Sequence, residues 1–177
     1  MKCLLAIDDL ILGCATSAVR AWNWTTGRTK KDLTNILLFG GAAIDISAAS
    51  FDKASLAAGA AIGYACILPM EYSNNIAIAK LEEGIYTSAA IPIELEECKQ
   101  RATFYGYATL GWLTCVPRYT NDASLTLSAV GIIANSFSNF VMRAGDMPRR
   151  KNCLSRGIDS LATLIGSYRQ KPKPAYA

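Results

Sequence analysis

Ala123 to Met142 is a run of twenty residues without a charge, bounded by Asp122 and Arg143. A run of that length must either cross a bilayer core, which takes ~20 apolar residues for about 30 Å, or be wrapped on every side by the rest of the chain. Three further blocks press the same choice. Ala102–Pro117 is uncharged over sixteen residues and is separated from the first run only by Arg118–Asp122. Leu33–Phe51 is interrupted by Asp45 alone, and Ala54–Met70 follows it through Asp52 and Lys53. The chain therefore reads as apolar hairpins with charged turns.

These blocks predict an all-α fold of two apolar helical hairpins, giving four central membrane-spanning helices flanked by amphipathic helices at both ends. Residues 1–32 form an amphipathic N-terminal helix and turn, with Leu4, Leu5, Ile7, Leu10, Ile11, Cys14 and Val19 at helical spacing. Trp22–Gly27 break that pattern and begin the turn. Residues 33–70 are the first hairpin, with Asp32 or Thr34 capping its first helix, Asp52 capping its second, and Pro69 ending it. Residues 71–101 are a polar connecting segment opening on a turn at Tyr72–Asn75, and 102–142 are the second hairpin. Residues 143–170 carry a basic segment and an amphipathic helix, and 171–177 a disordered tail. FGGAAI (39–44) and ASLAAGAAIGYA (54–65) match YGYATL (105–110) and ASLTLSAVGIIA (123–134) in the same order, which fits a duplicated unit.

Composition leaves the choice of solvent open. Charged residues are 18% of the chain against about 25% in soluble domains, yet a mean hydropathy of +0.20 is not that of a clear membrane protein. Charge is segregated: every Lys and Arg except Lys53 and Arg118 falls in residues 1–32, 71–101 or 143–177. In a membrane, that map places both termini on the cytoplasmic side. The two remaining turns are short, so the map orients a membrane protein without establishing one. Asp8 and Asp9 interrupt the first apolar run, so no cleavable signal peptide is expected. The alternative is a cytoplasmic, soluble all-α helical adaptor or effector that binds a protein partner through an apolar groove.

Asp45 is the one charge inside an expected span, and a buried intramembrane carboxylate is costly unless it is paired or lines a water path. It is the leading functional candidate; its bland alternative is that the helix ends near Ile44 and leaves Asp45 at an interface. Gly59 and Gly63, with Gly40 and Gly41, are small-residue helix-packing positions. The cluster Arg143, Arg149, Arg150, Lys151 and Arg156 reads as a solvated stop after an apolar helix, or as a membrane-surface patch for anionic lipid head groups. Nothing beside it reads as a nucleic-acid motif. Asn23-Trp24-Thr25 matches a glycosylation sequon, and Trp22 and Trp24 near Arg28, Lys30 and Lys31 suit an interface anchor.

No catalytic constellation stands out. The chain has no histidine, no G-x-S-x-G, no P-loop and no dinucleotide-binding glycine pattern, which argues against an enzyme and against a cofactor. The absence of histidine excludes a Cys/His zinc site, and six spread cysteines without a C-x-x-C pair would need unusual convergence to form a four-Cys one. Cys66 and Cys115 read as small buried hydrophobes, while Cys3, Cys98 and Cys153 flank apolar blocks as free thiols or acylation sites. Glu82, Glu83, Glu94, Glu96 and Glu97 fit solvated helix starts better than metal ligands. The expected partners are other membrane helices or the subunits of a protein complex.

Overall fold

The computed structural model describes residues 2–83 and 91–144, and among these every element is helical. The order is α1 (Lys2–Thr26), α2 (Lys30–Asp52), α3 (Ala54–Glu82), α4 (Ile91–Gly111), a 3₁₀ segment (Trp112–Arg118) and α5 (Asp122–Arg143). The expected C-terminal amphipathic helix, and Arg149, Arg150, Lys151 and Arg156 with it, lie outside the described residues.

Local chemistry sets the helix ends, and several differ from the sequence expectation. Trp22–Thr26 are the last turn of α1, because the Thr25 and Thr26 hydroxyls donate back to Ala21 O and Trp22 O at 2.8 and 2.7 Å. Gly27, at φ 69°, then supplies the left-handed residue that stops the helix. Neither Asp32 nor Thr34 caps α2. Thr29 does, and its N–H donates to Asp32 Oδ2 at 3.0 Å, which makes Asp32 the third residue of a capping box. Asp52 does not cap α3 either. Its carboxylate accepts from the Thr120 hydroxyl at 2.6 Å and from the N–H groups of Thr120 and Asn121 at 3.1 and 3.0 Å. That clip ties the α2–α3 turn to the turn before α5.

α3 is the largest departure. It runs for 29 residues, through Pro69 and through the expected turn at Tyr72–Asn75. Proline at 69 removes one helical N–H donor, but the turns beyond it are held by tertiary packing: Glu71, Asn74, Asn75, Ile78 and Leu81 are all buried. The expected connector therefore begins as helix. Pro92 stands in the first turn of α4, where a missing N–H is harmless. The block 102–117 is divided between the end of α4 and the 3₁₀ segment, so it is not one apolar helix. Among the described residues, α2, α3 and α5 are the three helices long and apolar enough to cross a membrane.

α2 and α5 run antiparallel, joined by a ladder of contacts along most of their length. Asp52 meets Thr120, Asp45 meets Ser128, Asn135 Nδ2 donates to Leu38 O at 2.8 Å, and Lys30 Nζ donates to Ala144 O at 2.7 Å. Glycine permits the approach. A Cβ on Gly41 would sit 2.5 Å from Asn135 N and 2.6 Å from Gly131 O, and one on Gly131 would sit 2.6 Å from Gly41 O. α3 packs on α2 and α4, α4 packs on α5, and α1 lies against α5 and α2. Apolar packing concentrates at one end: Ala15, Val19, Phe140 and Val141 form one cluster, and Ile78, Leu81, Ala102 and Met142 another. The middle of the bundle is polar.

Candidate functional site: a polar interior with two buried carboxylates

The buried face of α5 carries Ser124, Ser128, Asn135, Ser138 and Asn139 beside Ile132, Phe140, Val141 and Met142. Its outer face is Leu127, Val130 and Ile133. On α2, Thr34 and Asp45 are buried together with Leu38, Ala42, Ala48 and Ala49, while Ile36, Phe39 and Ile44 are exposed. On α3, Glu71, Asn74 and Asn75 are inside and Ile62 and Met70 outside. Phe51 is 80% exposed while Asp45 is 4% exposed. Soluble domains keep charged residues out unless paired, and rarely leave contiguous apolar surface bare.

Asp45 sits within α2, which continues past Ile44 to Asp52. Its Oδ1 accepts from Ser128 Oγ at 2.5 Å and from Tyr119 Oη at 3.3 Å. Burial pushes the Tyr119 hydroxyl above its ordinary pKa, with the Asp45 charge adding to the shift and the Ser128 hydroxyl opposing it. It is therefore a protonated donor at neutral pH. Asp45 opens on a cavity of about 350 Å³ whose walls include Ser55, Gly59, Gly63, Trp112, Arg118 and Tyr119. The Tyr64 ring meets Trp112 edge-on at 5.0 Å, and its buried hydroxyl lies beside Asp45.

The expected packing glycines separate in space. Gly41 is at the α2–α5 crossing. A Cβ on Gly40 or Gly59 would meet nothing within 4 Å, and one on Gly63 would touch the Trp112 ring at 3.0 Å. Gly59 and Gly63 thus border the Asp45 cavity, and among the described residues no α-helix seats on them.

A second carboxylate, Glu71, was hidden in the sequence by the apparent break at Pro69. It is fully buried, and its Oε1 accepts from Thr109 Oγ1 at 3.1 Å and Asn139 Nδ2 at 2.9 Å. Ser128 and Asn139, which bind the two carboxylates, are about 16 Å apart along α5 at ~1.5 Å per residue.

Ion pairs close the end where α2 and α4 begin. Lys30, 3% exposed, pairs with Glu82 at 2.7 Å, and Lys99 reaches Glu82 at 3.4 Å. Arg143 is held by Asp8 at 2.6 Å, so it is engaged within the fold. Tyr107 donates to the same Asp8 at 3.4 Å. Asn23 is buried and donates to Arg28 O at 3.3 Å, which encloses the sequon side chain. Cys66 and Cys115 are exposed, contrary to expectation, because the first half of α3 and the 3₁₀ segment face outward; Cys98 is buried instead. Among the described residues no group of three His, Cys, Asp or Glu side chains is placed to hold a metal ion.

No protein-family model, no curated protein and no solved structure matches this chain.

Proposed function

We propose that this chain is a small multi-pass integral membrane protein that binds and carries a small cationic solute through its polar interior. The observation that supports the reading is the inversion of polarity on α2, α3 and α5. Lipid tails solvate Ile36, Phe39, Leu127 and Val130 without cost, and inside the bundle Asp45 accepts from Ser128 and Tyr119 and Glu71 from Thr109 and Asn139. The same inversion disfavours a soluble adaptor, whose outer faces would meet water.

The solute site is the Asp45 cavity. A carboxylate at its floor, donors already placed on one carboxylate oxygen, and Trp112 and Tyr119 in its walls suit an ammonium group with a small apolar body. A pure assembly subunit, the second reading, is favoured by Gly40 on α2 and Gly59 on α3, small residues with open space beside them.

The test uses the detergent-purified protein and tetramethylammonium as probe, followed by intrinsic tryptophan fluorescence. The expected result is a saturable change whose affinity falls at least ~10-fold in Asp45→Asn, since one lost charge-assisted contact is worth about that factor. Unchanged affinity in Asp45→Asn, or no response in the wild type, refutes the solute site and favours the assembly reading.

A further inference from the structure

Two opposite charges line the Asp45 cavity without meeting each other. Asp45, which is buried, and Arg118, exposed at the end of the 3₁₀ segment, both belong to its walls. Among the described residues the ion pairs are those of Lys30 and Lys99 with Glu82 and of Arg143 with Asp8, so neither Asp45 nor Arg118 has a charged partner. Asp45 accepts from the neutral hydroxyls of Ser128 and Tyr119. Asp52, the carboxylate in the facing turn, is already committed to Thr120 and Asn121.

The two charges stand at different depths. Asp45 lies seven residues before the end of α2 at Asp52, about 10 Å down the helix at ~1.5 Å per residue. Arg118 stands near the level of that helix end, since Asp52 holds Thr120 and Asn121 just beyond it. Tyr119, next to Arg118, reaches down to Asp45 Oδ1 at 3.3 Å. The cavity thus has an acidic floor and a basic mouth. An ammonium group alone neutralises the floor and leaves the mouth charged. A guanidinium is a planar two-pronged donor that matches a carboxylate. One Asp and one Arg balance one charge of each sign, which suits a carboxylate better than a phosphate monoester of about −1.5 to −2. At about 350 Å³ the cavity admits only a small molecule, since ligand sites run to roughly 1,000 Å³.

Building on the solute reading above, we infer that the molecule held in the Asp45 cavity is a small zwitterion, its ammonium group on Asp45 and its carboxylate on Arg118. The cationic group is the one already placed at Asp45; the molecule as a whole is neutral.

The experiment titrates the detergent-purified full chain with tetramethylammonium, choline and glycine betaine, followed by intrinsic tryptophan fluorescence. All three carry a quaternary ammonium group. Betaine alone adds a carboxylate, and choline, with a hydroxyl in its place, controls for size. Betaine should bind the wild type at least ~10-fold more tightly than choline, the worth of one charge-assisted contact. In Arg118→Gln that preference should disappear, with betaine weakened and the tetramethylammonium affinity unchanged or raised. Arg118 is exposed, so this substitution leaves the core intact. Betaine no tighter than choline in the wild type overturns the zwitterion, and the solute site still stands if tetramethylammonium binds. A betaine preference that survives Arg118→Gln overturns the role of Arg118. Saturable binding of none of the three refutes the solute site itself and the zwitterion with it.

Discussion

Gly40 and Gly41 are adjacent in sequence and opposite in consequence, and alanine at each tests the α2–α5 contact on which the Asp45–Ser128 hydrogen bond depends. At Gly41 the new Cβ falls about 0.9 Å short of ordinary contact with Asn135 N, and the obstructing atoms are backbone on α5. The helices must move apart by most of that amount. Overpacking of this kind costs about 1–3 kcal/mol. Separation also stretches Asn135 Nδ2 to Leu38 O and Ser128 Oγ to Asp45 Oδ1, each worth about 1 kcal/mol. Gly41→Ala should therefore destabilise by about 3 kcal/mol. At Gly40 nothing lies within 4 Å of the new methyl, and replacing a mid-helix glycine by alanine stabilises by about 0.5–1 kcal/mol. Equilibrium unfolding of the purified variants, in detergent or buffer, reads both. Equal stability of the two variants, or a greater loss at Gly40, refutes the crossing geometry.

Other consequences follow from the same contacts. Lys30→Met strands Ala144 O and leaves Glu82 with only the longer Lys99 contact, so it should cost about 3 kcal/mol in the same unfolding assay; a change under about 1 kcal/mol means the buried pair is not formed. Arg143→Ala removes a partly buried pair with Asp8, its side chains 24% and 20% exposed, and should cost about 1 kcal/mol. A larger loss there would mean that α1 is held by this pair more than by Ala15 and Val19. Alkylation by a membrane-permeant maleimide should modify Cys66 and Cys115 in the folded protein and spare Cys98 until unfolding; rapid modification of Cys98 would contradict its burial against Ala102 and Ile78.

The helical character and the apolar blocks were legible because absence of charge over sixteen to twenty residues is a local property. Asp45 was legible for the same reason, as the exception within a block. The length of α3 was not. Pro69 and the polar run Tyr72–Asn75 are local stop signals, and they are overridden by burial of Glu71, Asn74 and Ile78 against other helices. Glu71 disappeared with that misplaced boundary, since a carboxylate in a connector needs no partner while one in mid-helix does. The α5 inner face was present in the sequence as Ser and Asn at helical spacing. Which helix it faces depends on Gly41 meeting Gly131, a contact between residues 90 positions apart that no local pattern encodes. The fourth expected span failed for a similar reason, because Ala102–Pro117 passes from α-helix to 3₁₀ geometry at Trp112.

The central claim is that the outer faces of α2, α3 and α5 are solvated by lipid. Fractionation of the expressed protein, with an alkaline carbonate wash of the membrane pellet and then extraction in mild detergent, tests it most directly. Retention through the wash and release by detergent is the predicted result. A folded, monodisperse protein in the soluble fraction would contradict it, and the exposed Phe51, Ile62 and Leu127 would then be the surface of a protein-binding groove.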